Sequence, residues 1–239
     1  MTGTYIDYFD GTAACEAYVS LPTGPLAAPV PAVLVVHQWA GQGDQERETA
    51  DRMAALGFVG IAVDVFGKGV RGDPAGDNSA LLGPWFGDRA GLLRRLIAAI
   101  GFAKGQSAVD GARIGMVGYC FGGLCVLDVA RAGVPGVLGV VSLHGVFAKP
   151  NLGPQGPISA KVLVCHGYDD PMADPAAMVG LADELTAADA DWQIHAYGGT
   201  THAFTRTSAN APEKGMNYSA NADRRSWAAL TGFFGEVLS

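Results

Sequence analysis

One segment decides how this chain can fold: Arg113-Ile-Gly-Met-Val-Gly-Tyr-Cys120-Phe-Gly-Gly-Leu-Cys-Val-Leu-Asp-Val-Ala130. The apolar run 114–117 predicts a short buried strand, and a helical pattern begins at Gly122. Between them, residues 118–122 read Gly-x-Cys-x-Gly, the form of a nucleophile elbow with Cys in place of the more usual Ser. Such a turn exposes the Cys120 side chain beside a helix start, whose free N–H groups and positive dipole end favour a thiolate and an oxyanion. A Gly-rich turn around an inert, buried cysteine is the alternative.

Strands and helices alternate on both sides of this segment. The nearly all-apolar run 32–36 is typical of a central parallel strand that is covered on both faces. Alternation on short connections predicts an α/β fold, with a mostly parallel twisted sheet of about eight strands and helices on both faces. Residues 67–87 are polar and rich in Gly and Pro, and we expect them to cross the mouth of a site. The other predicted strands are 4–9, 14–21, 58–66, 137–143, 161–165 and 192–197, and the predicted helices are about 45–56, 92–100, 122–132, 219–238 and one from Pro175.

Composition limits the possible partners. The 239 residues are expected to form a single domain, 1–239, with a net charge of −7 and no dense cluster of Lys or Arg. Nucleic acid and anionic membranes are therefore poor partners, and no apolar run approaches the length of a membrane span. The first residues lack the pattern of a secretory signal, and the four cysteines form no C-x-x-C pair. We expect a cytoplasmic monomer with reduced thiols.

Four polar residues lie just past the ends of predicted strands: Gln38, Cys120, Asp170 and His202. In parallel sheets the functional site lies beyond the carboxyl ends of the strands, so these side chains are expected to gather at one edge. The order nucleophile, acid, histidine is that of an α/β-hydrolase. Cys120 would attack a carbonyl carbon, His202 would carry the proton, and Asp170 would orient the imidazole.

Backbone N–H groups complete this predicted arrangement. One oxyanion donor is expected from Phe121, and the second from Trp39 in the loop after the third strand. An alternative for the acid is that Asp169 and Asp174 cap the next helix while Asp170 is merely solvated. The other histidines are weaker candidates, and none has the ligand spacing of a metal site, so we predict neither a metal nor a cofactor.

At three places the chain resembles the dienelactone hydrolase family. The matching segments are Gly-Tyr-Cys120-Phe-Gly-Gly, His-Gly-Tyr-Asp-Asp170-Pro and His202-Ala-Phe-Thr-Arg206, and the likeness extends from about residue 5 to the end. The resemblance implies an α/β-hydrolase fold, a Cys-His-Asp triad, and cleavage of small lactones or esters that are often anionic.

Two departures from the family pattern affect this expectation. The family has a Glu that keeps the thiol poised for ionisation, and Gln38 stands at the matching position. Because Gln cannot accept a proton, Cys120 and His202 are expected to form a standing ion pair. The family also binds a substrate carboxylate with two arginines. Arg206 matches one of them, with a surface salt bridge as its alternative, and Arg89 is the nearest candidate for the other.

Aromatic residues are candidates for the walls of a substrate pocket. Trp39, Trp85, Phe86 and Phe204 are placed where they can form an apolar wall, with Trp85 and Phe86 as a lid. Ordinary core packing is the alternative for all four.

The leading functional prediction is a cysteine-dependent hydrolase of small carboxylic esters or lactones. A non-catalytic binder or sensor of a small anionic metabolite, held through Arg206, is the alternative that the Gln38 departure motivates. A third possibility is a redox-sensing thiol at Cys120. Cys125 is expected more than one helical turn away, which argues against a disulfide cycle.

Overall fold

An eight-stranded sheet forms the centre of the fold in the computed structural model, which describes residues 3–239. Its strands run in the order β1-β2-β4-β3-β5-β6-β7-β8. The pairs that involve β1 and β2 are antiparallel, and all the others are parallel. The predicted α/β class and mostly parallel sheet are confirmed. The strands are β1 (Thr4–Asp10), β2 (Ala13–Ser20), β3 (Val30–Val36), β4 (Val59–Val63), β5 (Val109–Tyr119), β6 (Val137–Leu143), β7 (Lys161–Gly167) and β8 (Trp192–Tyr197), and a separate hairpin pairs β9 (Asn210–Ala211) with β10 (Met216–Asn217).

Helices cover both faces of the sheet, and each face has its own hydrophobic core. On one face α3, α4 and α5 pack their apolar sides on the strands, and on the other face α1 and α6 do so. The bounds are α1 (Asp44–Ala55), α2 (Ser79–Gly87), α3 (Arg89–Lys104), α4 (Phe121–Arg131), α5 (Pro175–Ala187) and α6 (Ala220–Val237). No helix between Gly3 and Ser239 is long and apolar enough to cross a membrane.

The register between the two central strands sets the position of the site. Val36 at the end of β3 pairs with Gly118 in β5, and all residues of β3 after Val30 are buried. The loop after β3 therefore begins beside the turn after β5. This is the arrangement expected when parallel strands bring their carboxyl ends to one edge.

The structure differs from the sequence prediction within the segment 67–87, because its second half forms α2 rather than a loop. Pro84 lies inside this helix, and helix propensity is therefore low. Leu82 and Trp85 pack against the core on the α3 and α4 face, so tertiary contacts stabilise a helix that the local sequence disfavours. The strand predicted at 58–66 is also shorter and spans only Val59–Val63.

Candidate active site

The turn between β5 and α4 has the geometry of a sharp elbow. Cys120 lies at its apex with φ 52° and ψ −110°, in the left-handed half of backbone space that non-glycine residues rarely adopt. A Cβ atom on Gly118 would lie 2.0 Å from the carbonyl oxygen of Gly122, and one on Gly122 would lie 2.2 Å from that of Val36. Only glycine fits at either position, and the half-buried thiol is therefore held at the start of α4.

Asp170 and His202 form a buried pair at the same sheet edge. Asp170 lies three residues after β7, and its Oδ2 atom is 2.7 Å from Nδ1 of His202. Its Oδ1 atom accepts a hydrogen bond from the N–H of Met172 at 2.8 Å. The helix cap is a different residue, because Asp174 accepts from the N–H of Ala177 at the start of α5. Asp170 is therefore committed to the histidine and is not merely solvated.

The hairpin β9–β10 fixes the backbone of His202. The N–H of His202 donates to the carbonyl of Gly215 at 2.9 Å, and the N–H of Asn217 donates to the carbonyl of His202 at 3.1 Å. The ring is 2 % exposed, and its Nε2 atom is buried with no hydrogen-bond partner among the described residues. Burial opposes protonation of this imidazole. The charge of Cys120 and the hydrogen bond to Asp170 outweigh burial and raise the pKa of His202 to about 10.

Cys120 and His202 line one small cavity of about 160 Å³. Most of its wall is apolar, with side chains from α2, α4 and the loops after β6 and β7. Its lining residues are Gln38, Trp39, Leu82, Phe86, Cys120, Phe121, Val146, Met172, His202, Ala203, Arg206 and Met216. The cavity therefore presents a thiol and an imidazole to a space that fits a small, largely apolar group.

Two of the aromatic side chains predicted for the pocket lie elsewhere. Trp85 packs against the hydrophobic core, with the guanidinium of Arg95 5.1 Å from its ring centroid. Phe204 is fully buried and packs edge-to-face against His144. Trp39 and Phe86 do line the cavity. From α2, Leu82 and Phe86 line the cavity, whereas Trp85 does not.

Two other histidines at strand ends hold the loops in place. His37 is buried after β3, with Nδ1 2.7 Å from the carbonyl of Gln38, and its Nε2 atom accepts from the N–H of Val65 at 3.1 Å. His166 lies in β7 with Nε2 2.7 Å from the carbonyl of Ala173. Within residues 3–239, no group of three or more His, Cys, Asp and Glu side chains is arranged to hold a metal ion.

The sequence prediction missed the position of His144. This residue directly follows β6, has φ 39°, and places its ring centroid 5.1 Å from that of His202. The rule that selected Gln38, Cys120 and Asp170, a polar residue just past a buried strand, applies equally to His144. The sequence therefore contained the signal.

Comparison with known proteins agrees with this geometry. The model of the dienelactone hydrolase family matches residues 15–238. The chain belongs to the dienelactone hydrolase family. A carboxymethylenebutenolidase from Pseudomonas putida is 28% identical to it over 87% of each chain. The predicted enzyme class, a carboxylic ester hydrolase of the dienelactone hydrolase type, is confirmed.

Solved structures extend this relationship to the whole chain. A dienelactone hydrolase-like promiscuous phosphotriesterase from metagenomic libraries is 35% identical, with a TM-score of 0.93, and the alignment covers 100% of this chain and 99% of that one. A putative dienelactone hydrolase from Klebsiella pneumoniae, 22% identical over 98% of both chains with a TM-score of 0.80, shares the fold. The α/β-hydrolase fold predicted from the sequence is confirmed.

Within residues 3–239, one arginine of this dienelactone hydrolase family member lines the cavity. Arg206 lines the wall, and it donates from Nη2 to the carbonyl of Pro74 at 2.8 Å and from Nε to Ser208 at 3.0 Å. Arg89 is committed elsewhere, because Nε and Nη2 bind the two carboxylate oxygens of the buried Asp128 at 2.8 and 2.7 Å. Arg89 is therefore not the second arginine of a carboxylate clamp.

Proposed function

We propose that this protein is a cysteine-dependent hydrolase of small carboxylic esters or lactones. The observation that supports it best is the buried pair of Asp170 and His202, whose Oδ2 and Nδ1 atoms are 2.7 Å apart. His202 lines the same cavity as Cys120, which lies at the apex of the strained elbow. Because its pKa is raised, the imidazole of His202 is suited to hold the proton of the nucleophile in the proposed reaction.

In the first half of the proposed reaction the thiolate of Cys120 attacks the carbonyl carbon, and the carbonyl oxygen becomes an oxyanion. The N–H of Phe121, at the first position of α4, has no acceptor within the helix and is free to stabilise that charge. We assign the second donor to the N–H of Trp39. When the tetrahedral intermediate collapses, the proton on Nε2 of His202 passes to the leaving alkoxide, and the acyl group stays on sulfur.

In the second half a water molecule attacks the thioester. Nε2 of His202 takes the proton from water, and the oxyanion forms again in the same place. Collapse breaks the carbon–sulfur bond and releases the carboxylic acid and the thiolate of Cys120, while the proton from water stays on His202. The carboxylate of Asp170 holds the Nδ1–H tautomer throughout, so that Nε2 always faces the reacting atoms.

The cavity favours small substrates with an apolar group and at most one carboxylate. Its wall is mostly apolar, and Arg206 is the one arginine among the described residues that line it. Since Nη1 of Arg206 has no hydrogen-bond partner within the described residues, the guanidinium retains donors for a carboxylate at the rim. Because Arg89 is occupied by Asp128, we infer that a two-arginine clamp on a dianionic substrate is absent.

A second candidate activity is the hydrolysis of neutral phosphotriesters. The apolar cavity beside the thiol suits such substrates, and the whole-chain relative at 35% identity is described as a promiscuous phosphotriesterase.

We further infer a reducing compartment, since all four cysteines are free and three of them are buried. A cytoplasmic, monomeric protein stays a prediction.

A substrate panel tests this proposal. Wild type and Cys120→Ala are compared on p-nitrophenyl acetate, an aryl γ-lactone, a monoanionic ester and a diethyl aryl phosphate. We expect wild-type turnover of the esters and lactone and its loss in the variant. Equal turnover by the variant would contradict the proposed nucleophile. Binding of an anionic compound without any turnover, even at high enzyme concentration, would favour the binder instead.

A further inference from the structure

A chain of hydrogen bonds connects Gln38 to the interior behind the site. Nε2 of Gln38 donates to Oε1 of Gln45 at 2.8 Å, and Nε2 of Gln45 donates to the hydroxyl of Thr205 at 3.0 Å. The same hydroxyl lies 2.8 Å from Nε2 of His144. These four residues come from the loop after β3, from α1, from the segment after His202 and from the end of β6. We call them the relay.

The relay has a direction. The amide oxygen of Gln45 is occupied by Gln38, so its NH₂ group faces Thr205. A hydroxyl has one proton, and because Thr205 accepts from Gln45, that proton is available to Nε2 of His144. When Thr205 donates this proton to Nε2, the ring proton of His144 lies on Nδ1, which is buried without a hydrogen-bond partner among the described residues.

The last member of the relay lies against the proposed catalytic base. His144 is fully buried, and its ring meets that of His202 at 69°, with 5.1 Å between the centroids. Burial and the positive charges of His202 and His166 hold the pKa of His144 well below its ordinary value. The ring beside His202 is therefore a neutral imidazole, whose dipole direction depends on which nitrogen carries the proton.

We propose that the relay Gln38–Gln45–Thr205 fixes the tautomer of His144, and that His144 is a positioning residue which orients His202. This inference rests on the proposed function for the role of His202. The relay also explains how the residue at position 38 affects the site. The amide of Gln38 can donate a hydrogen bond to Gln45, whereas a carboxylate cannot. With Glu at position 38, the Gln45 amide must donate to the carboxylate and its oxygen must accept from Thr205. Thr205 would then accept from Nε2–H of His144, and the tautomer would be reversed.

Nuclear magnetic resonance reads the tautomer directly. The protein is labelled with ¹⁵N at the imidazoles of its five histidines, and the His144 signals are assigned by their absence in His144→Asn. In wild type at neutral pH, we expect the proton on Nδ1 of His144, and in Gln38→Glu we expect it on Nε2. A proton on Nε2 in wild type, or one tautomer in both proteins, would overturn the proposal.

The substitution Thr205→Val cuts the relay while keeping the shape of the side chain, and it supplies the control. If the effect passes through Thr205, Gln38→Glu must not reverse the tautomer in the Thr205→Val background. A reversal that persists there would show that the new charge acts through space and would overturn the relay.

Kinetics test the positioning role. Thr205→Val should lower kcat on p-nitrophenyl acetate by roughly tenfold with little change in KM, as expected when a supporting hydrogen bond of about 1.4 kcal/mol is lost. Thr205→Ser retains the hydroxyl and should restore kcat. An unchanged kcat in Thr205→Val, in an enzyme that Cys120→Ala inactivates, would refute the positioning role and leave the proposed function intact. Because the tautomer measurement needs no turnover, it remains decisive even if hydrolysis is not found.

Discussion

Replacing Asp170 with Asn removes the negative charge that, in our proposal, stabilises the protonated imidazole of His202. Both side chains of the Asp170–His202 pair are almost completely buried, and they are joined at 2.7 Å. Two unit charges about 4 Å apart interact by about 4 kcal/mol when the effective dielectric constant is about 20. Since about 1.4 kcal/mol corresponds to a factor of ten in rate, this loss predicts a kcat about 10³-fold lower.

The tautomer adds to this effect. An Asn amide can present an N–H towards Nδ1, which stabilises the tautomer with the proton on Nε2, where it cannot act as a base. The same substitution in a Ser-His-Asp enzyme lowers kcat by about 10⁴. We therefore expect a loss of about 10³- to 10⁴-fold for Asp170→Asn. The fold should be kept, because the new side chain has the same shape.

Steady-state hydrolysis of p-nitrophenyl acetate measures this loss, and Asp174→Asn is the matched control. Asp174 is exposed four residues away and caps α5 through the N–H of Ala177, which Asn also does. We expect the control to keep the wild-type kcat. If Asp170→Asn were folded and within about tenfold of wild type, the carboxylate would not support the imidazole as we propose.

Three further predictions concern the elements around the site. Burial lowers the pKa of His37 to about 4 in the folded protein. In the unfolded chain the same imidazole is protonated below about pH 6.5. The free energy of unfolding therefore falls by about 3 kcal/mol as the pH decreases from about 6.5 to about 4. Urea unfolding at pH 7 and 4.5 should show a smaller loss in His37→Gln, and equal losses would contradict this account. At the elbow, Gly122→Ala places a Cβ 2.2 Å from the carbonyl oxygen of Val36 and should destabilise the fold by about 3 kcal/mol or more in thermal unfolding. Gly101→Ala, in an open part of α3, should not destabilise it. Finally, Phe86→Ala should raise KM for p-nitrophenyl butyrate about fivefold, from about 1 kcal/mol of lost apolar contact, without lowering kcat for the acetate. An unchanged KM would place the acyl chain elsewhere.

The sequence predicted the sheet edge well because one physical rule selects it. Parallel strands that are buried on both faces are nearly all apolar, and the first polar residue beyond each of them stands out. Cys120 directly follows β5, Asp170 lies three residues after β7, and the structure brings both to one edge with His202.

Features that depend on tertiary contacts were beyond the sequence prediction. The helix α2 contains a proline, and its packing on the core stabilises it against local propensity. Nothing in the local sequence showed that Arg89 binds Asp128, that Trp85 turns to the core, or that Gln38 bonds to Gln45. Partners that are far apart in sequence decide each of these positions.

Trapping the acyl-enzyme tests the central claim most directly. Wild type is mixed with p-nitrophenyl acetate, quenched in acid during the burst, digested and examined by mass spectrometry beside Cys120→Ala. We predict an acetyl group on the peptide that contains Cys120, formed as fast as the burst of p-nitrophenol and absent from the variant. Turnover with no acetyl group on Cys120, or an equal burst from Cys120→Ala, would contradict the proposed mechanism.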